Sequence, residues 1–416
     1  MNCRHCGHLL EHVFIDLGFA PPSNAYLTEE DLHKPESQYP LKLYVCDKCW
    51  LVQTKDYAKA DELFHSDYAY FSSVSQGWQE HTSRYVDQMC SKFKLNGQSY
   101  VLEVGSNDGC LLKNFVSAGI PCLGIEPTAS TAEAAENLGV PVLREFFCDA
   151  LALRLARENK KADLILGNNV YAHVPDINDF TAGLKNLLKP GGVITLEFPH
   201  LLKLIEENQF DTIYHEHFSY LSLQVVISMF KQAGLRVWDV ESLSTHGGSL
   251  RIYGCHANDP RKTTAAVKEI LMEEQSHGLQ EIATYRALQA NADQIKNDLL
   301  NYLIKQKRAG KTVAAYGAAA KGNTLLNYAG VKPDLIPYIC DVAFSKQEKF
   351  MPGSHIPILS PEVLHERRPD IVLILPWNIA DEVIARNSYV YDWGGIFVVA
   401  IPVLQTISLS TAGPNP

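Results

Sequence analysis

Two cysteine pairs, Cys3-Arg4-His5-Cys6 and Cys46-Asp47-Lys48-Cys49, are the first residues along the chain able to do defined chemistry. Thiolates three residues apart can turn towards one tetrahedral ion, so two such knuckles predict a four-cysteine zinc site. Four thiolates leave no open coordination position, which gives that zinc a folding role and not a catalytic one. A redox dithiol is the rival reading of a single pair, and the second pair weighs against it. His5, His8 and His12 are spare candidates, each a weaker one than the cysteines. A second concentration of chemistry is Asp211-Thr212-Ile213-Tyr214-His215-Glu216-His217-Phe218-Ser219-Tyr220-Leu221. It holds what proton abstraction needs: an imidazole, a carboxylate to orient it and a phenol to donate. A metal site on His215, Glu216 and His217 is one alternative, although the H-E-x-x-H spacing is absent. A packed pair of core histidines is the plainer one. His173 can reach the same cleft, and both it and His200 have a structural reading of their own. In a regular strand Glu216 would face away from His217, so cooperation between them requires a turn.

The elements that must position these groups follow from the apolar pattern. Tyr100–Val104 reads as a strand, Gly105–Gly109 as a turn and Cys110–Ala118 as a helix. Strands at Cys122–Ile125, Asp163–Gly167 and Gly192–Phe198 alternate with helices at Ser130–Leu138 and Asp179–Leu187, which implies a parallel sheet covered on both faces. In Glu103-Val104-Gly105-Ser106-Asn107-Asp108-Gly109 the glycine after the strand lets a ligand approach the backbone, and Gly109 lets the helix start tightly. The pattern is E-x-G-x-x-x-G and not G-x-G-x-x-G, which weakens a dinucleotide reading. Glu126 ends the second strand where a carboxylate can take both hydroxyls of a ribose, and Asn168 lies at the carboxyl edge of the third. A polar helical stretch from about Asp259 to Arg308 leads to a second alternation. There a strand at Thr312–Tyr316 runs into Gly317-Ala318-Ala319-Ala320-Lys321-Gly322-Asn323-Thr324. That turn misplaces the lysine of a Walker A loop, yet it still offers backbone N–H groups. A packing turn is its plain reading.

The chain is α/β throughout, with three blocks: a zinc-binding module at 1–64, a Rossmann-like domain at 65–258, and a helical connector with a second Rossmann-like domain at 259–416. Its 416 residues, 46% hydrophobic and 20% charged, fit a soluble multidomain protein. A net charge of −10 argues against a nucleic-acid partner. No signal-like or membrane-length apolar stretch is present, so a cytoplasmic location with no membrane association is expected.

The ordered set of glycine loop, acidic end of strand two and Leu188-Lys189-Pro190-Gly191-Gly192 resembles the class I S-adenosylmethionine (SAM) methyltransferases. The whole chain, with its two CxxC pairs, Tyr68-Ala69-Tyr70-Phe71-Ser72-Ser73, the NNVYAHVPD run and YHEHFSYLS, is similar to the SAM-dependent sugar C-methyltransferases of deoxysugar biosynthesis. The resemblance implies a nucleotide-linked 4-keto-6-deoxy sugar as substrate, methylated next to the ketone, at C3 with C5 as the alternative. It implies His217 as general base and Glu216 as its support, with Tyr214 and His173 on the ketone oxygen. SAM would be held by Glu103, Gly105, Asn107, Gly109, Glu126 and Asn168. Tyr68 and Tyr70 would line the sugar pocket, with Lys321 and Asn323 on the nucleotide. An O- or N-methyltransferase is the rival, and the oligomeric state stays open, with a monomer as the working expectation.

Overall fold

The computed structural model describes residues 1–57 and 71–408. Tyr68 and Tyr70 therefore lie outside the described residues. Strands β1 (His12–Ala20) and β2 (Tyr39–Val45) open the chain, followed by the short β3 (Val52–Thr54). The structure divides into two compact units. One holds Met1–His12, Tyr44–Leu202 and His217–Thr284; the other holds Val13–Leu43, Lys203–Glu216 and Tyr285–Pro416.

In the first unit, strands β4 (Val101–Val104), β5 (Cys122–Ile125), β6 (Val142–Leu143), β7 (Ala162–Asn168) and β8 (Leu188–Pro199) run parallel. β9 (Ser219–Tyr220) pairs with β3 apart from them. The hairpin of β10 (Leu235–Leu243) and β11 (Ser249–His256) completes the main sheet in the order β10-β11-β8-β7-β4-β5-β6. β11 is antiparallel to β8, so the all-parallel sheet expected from the strand–helix alternation is in fact mixed. The hairpin was hidden because it contributes two strands with no helix between them.

Val101, Leu102, Glu103 and Val104 are all buried, as a central strand covered on both faces requires. Helices Gln76–Phe93, Ile177–Leu187 and Leu223–Gln232 start at Ser75, Asp176 and Ser222, whose side chains accept from backbone N–H groups of the first turn. Strand order reverses between β4 and β7, and ligands of open α/β sheets bind outside the strand ends at such a point.

The second unit carries β12 (Val313–Tyr316), β13 (Ile339–Cys340), β14 (Ile358–Leu359), β15 (Ile371–Ile374), β16 (Ile396–Val399) and β17 (Gln405–Ile407), ordered β14-β13-β12-β15-β16-β17. β17 pairs antiparallel to β16 and forms an edge of this sheet. The connector resolves into two helices, Ala265–Ser276 in the first unit and Ile282–Arg308 chiefly in the second. No helix among the described residues is long and apolar enough to cross a membrane.

Candidate active site

The four cysteine sulfurs lie within 4.8 Å of one another, Cys3 to Cys49 at 3.5 Å and Cys6 to Cys46 at 3.6 Å. Thiolates on a tetrahedral ion with zinc–sulfur bonds near 2.3 Å would be separated by about 3.8 Å, so the donor set fits zinc. Gln53 donates to Cys3 Sγ at 3.2 Å, an outer-shell contact that orients the sulfur. His5 is turned away from the sulfurs, its ring nitrogens bonding Asn178 Oδ1 and Ser228 Oγ at 2.9 and 3.1 Å. His8 and His12 lie beside Asp47 at 3.3 and 3.9 Å.

The turn after β4 is shaped for a ligand. Gly105 has φ +69°, and a Cβ there would stand 2.9 Å from Val170, so only glycine leaves the loop open. Asn107 also adopts positive φ; its N–H donates to Glu126 Oε2 at 2.9 Å, and its side-chain oxygen accepts from Ser72 N–H. Gly109 allows the helix to close on Ala135, where a Cβ would be 2.9 Å away. Glu126 accepts from the N–H and hydroxyl of Thr128 on its other oxygen. A carboxylate has about four lone-pair sites, which leaves it capacity for a ribose. Polar atoms of Glu103, Ser106 and Asn168 are buried without a partner, which suits a polar ligand bound at this edge. Burial, with Asp108, Glu126 and Glu197 nearby, pushes the Glu103 carboxyl well up.

In the same unit His173 ends a 3-10 turn, Tyr171–His173, and its ring lies 4.6 Å from that of His217, nearly edge-on at 73°. The Tyr220 ring lies 5.8 Å beyond His217. The pairing has a backbone cause: Phe218 N–H donates to Ala172 O at 2.8 Å, joining the neighbours of the two histidines. Within this segment Ser219–Tyr220 is strand and His215–Glu216 form a turn. His200 is a structural histidine. It is buried and bonds Glu274, which also accepts from the Leu223 and Gln224 N–H groups.

Tyr214, His215 and Glu216 belong to the second unit. Glu216 is buried, and Asn24 Nδ2 meets its two oxygens at 2.7 and 2.9 Å. Tyr214 is half-buried. His215 packs edge-on to Tyr39, and burial lowers its pKa. Burial raises Asp211 to about 6, against the nearby Lys321 ammonium and the Trp377 indole N–H that donates to it at 2.8 Å. Lys321 bonds Asn378 and lies over the Trp377 ring, and Asn323 is fully buried in helix Ala320–Ala329. Among the described residues the four cysteines are the only cluster with metal-ligand spacing.

Sequence reasoning missed Asn24, which no local pattern marks, and the ion pair at the end of β8. There Arg251 bonds Glu197 at 2.7 Å and His81 takes its other oxygen at 2.9 Å. Burial drives Glu197 up, but those partners hold it below the usual range. His246, at positive φ in the β10–β11 turn, bonds Asn169 at 2.9 Å and was missed too. Its only sequence signal was the following Gly247-Gly248.

Three family models match: a domain named for zinc binding over residues 3–64, a methyltransferase domain over 78–240 and a C-methyltransferase C-terminal domain over 244–402. The chain is 36% identical to the C-methyltransferase NovU of Streptomyces niveus, across 98% of this chain and 97% of that one. It is 25% identical to a ubiquinone biosynthesis O-methyltransferase of Rhodopseudomonas palustris over 32% of this chain and 60% of the relative. The SAM-bound magnesium protoporphyrin IX methyltransferase of Synechocystis aligns with 43% of this chain and 79% of its own at 15% identity, with a TM-score of 0.33.

Proposed function

From the premise that the chain belongs to the SAM-dependent C-methyltransferases, we propose that it methylates a nucleotide-linked 4-keto-6-deoxy sugar at the carbon beside the ketone, C3. Its cofactors are SAM and a structural zinc ion. When bound, SAM supplies an electrophilic methyl group. Glu103, Gly105, Asn107, Gly109, Glu126 and Asn168 hold it. Methylation at carbon needs a nucleophilic carbon, and a 4-keto group supplies one by acidifying the neighbouring C–H. His217 Nδ1 or Nε2 takes that proton. His173 donates a hydrogen bond to the ketone oxygen as negative charge gathers there, with Tyr214 as a second donor. Glu216, fixed by Asn24, supports the imidazolium that forms. Tyr68 and Tyr70 are assigned to the sugar pocket, Lys321 and Asn323 to the nucleotide.

The observation that carries this reading is the His173–His217 pair, 4.6 Å between ring centroids, with His217 buried and His173 half-buried. An O- or N-methyltransferase acting on a nucleophilic heteroatom has no need of a second imidazole for a carbon acid. Incubation with SAM and a panel of nucleotide-linked 4-keto-6-deoxy sugars, followed by mass spectrometry and NMR of the product, is the test. A product with a methyl on carbon beside the original ketone is expected. A methyl on oxygen or nitrogen, or no product from any member of the panel, removes the assignment.

A further inference from the structure

Arg4, a non-ligand residue of the cysteine knuckle, touches both segments that carry the imidazole pair. We propose that Arg4 is a positioning residue for His173 and His217, so that the metal-held turn sets the geometry of proton transfer. The proposal rests on His217 being the base.

Arg4 stands between two zinc ligands, and its side chain is 7% exposed. One guanidinium nitrogen donates to Pro175 O at 2.6 Å, two residues beyond His173. The other donates to Thr54 O at 2.8 Å and to Asp56 at 2.8 Å. The guanidinium also lies 5.4 Å from the centre of the Phe218 ring, the residue after His217. Phe218 is therefore fixed on three sides. Its N–H donates to Ala172 O at 2.8 Å, its carbonyl accepts from Thr54 N–H at 3.1 Å, and its ring faces Arg4.

Cys3 and Cys6 anchor this arrangement from the other end. Arg4 N–H donates to Gln53 Oε1 at 2.9 Å, while Gln53 donates to Cys3 Sγ. Asn178 donates to the carbonyls of Arg4 and His5 at 3.2 and 2.8 Å and meets the His5 ring at 2.9 Å. The links to Pro175 O and to the Phe218 ring join the knuckle directly to the two segments that carry the imidazoles. Asp56 is 58% exposed and contributes little. The two carbonyls and the aromatic face call for a planar fork, which arginine has and lysine lacks.

Small displacements are costly in such a pair, since a misplacement near 1 Å lowers turnover by roughly 10²-fold. The test uses full-length, zinc-loaded Arg4→Met and Arg4→Lys proteins. It reads zinc per chain, the NMR signals of the His173 and His217 imidazoles, and kcat and KM separately. Arg4→Met is expected to keep one zinc, to shift both imidazole signals, and to lower kcat by roughly 10- to 100-fold with little change in KM for the sugar. Arg4→Lys should recover part of the kcat. Unshifted imidazole signals with wild-type kcat in zinc-loaded Arg4→Met overturn the proposal. If Arg4→Met loses zinc or does not fold, the same null result in Arg4→Lys overturns it. The two assignments fail separately. A His217→Asn protein with wild-type turnover removes the base, whereas the imidazole signals report on Arg4 whatever the identity of the base.

Discussion

Two strand–turn–helix units carry a glycine after the strand, one following β4 and one following β12, yet their turns are filled differently. After β4, the side chains of Glu103, Ser106 and Asn168 leave buried polar atoms unpaired. After β12, more of the turn is met by the chain itself, although Asn323 Nδ2 is also buried without a partner. Ala318 N–H donates to Asp341, Ala318 O accepts from Tyr26 and Lys346, and Lys321 bonds Asn378. A buried polar group without a partner costs roughly 1–3 kcal/mol, so the first turn retains a cost that a ligand can relieve. The second meets Ala318 and Lys321 with residues distant in sequence and keeps that cost at Asn323. A glycine turn at a sheet edge is thus a backbone opportunity, and side chains from elsewhere decide whether a ligand takes it. For Lys321 to meet a nucleotide, it must exchange Asn378 for the ligand.

The largest effect that sharpens this contrast lies beside the second turn. Burial raises the Asp211 carboxyl to about 6, so the folded protein keeps a proton there that the unfolded chain, near the ordinary 3.8, has released. Stability is therefore lost as pH rises from about 4 to about 6 and is level above. Asp211→Asn has no proton to lose. Relative to wild type it should gain up to about 3 kcal/mol across that window, read by denaturant titration at several pH values. Parallel stability–pH curves for the two proteins contradict a buried, protonated Asp211.

The next effect belongs to the first turn. Glu126→Ala should weaken SAM binding by roughly 1–3 kcal/mol, because ribose hydroxyls lose a charged acceptor and the Asn107 N–H loses its partner. Calorimetry measures it, and unchanged affinity removes Glu126 from the cofactor site. The smallest effect separates the two turns. Lys321→Met should leave SAM affinity within about 0.5 kcal/mol of wild type, as a substitution away from that ligand does. A loss comparable with that of Glu126→Ala would mean that the second turn also serves the cofactor.

Much of the first region was legible because its signals are local. Strand, glycine, helix and the acid ending the next strand follow one another within Tyr100–Glu126, and two CxxC pairs name their own ligands. The β10–β11 hairpin was not legible, since its strands show no clean alternation and one carries a bulge between Val237 and Asp239. Strands β13 and β14 contain two residues each, too short for any periodicity. The partners of the site residues were out of reach for another reason. Asn24 meets Glu216, and Arg4 meets Pro175, across 192 and 171 residues of sequence. The composition around Arg4 marked the metal site and concealed the arginine's second set of contacts.

The central claim is that His217 removes a proton from the carbon beside a ketone. Hydrogen–deuterium exchange at that carbon, followed by NMR in deuterated solvent with the keto-sugar and no SAM, measures the step apart from methyl transfer. Wild-type protein should catalyse the exchange, and His217→Asn should slow it by roughly 10²–10⁴-fold while still binding both ligands. Exchange at the wild-type rate in His217→Asn would contradict the account and move the base to Tyr214 or His173.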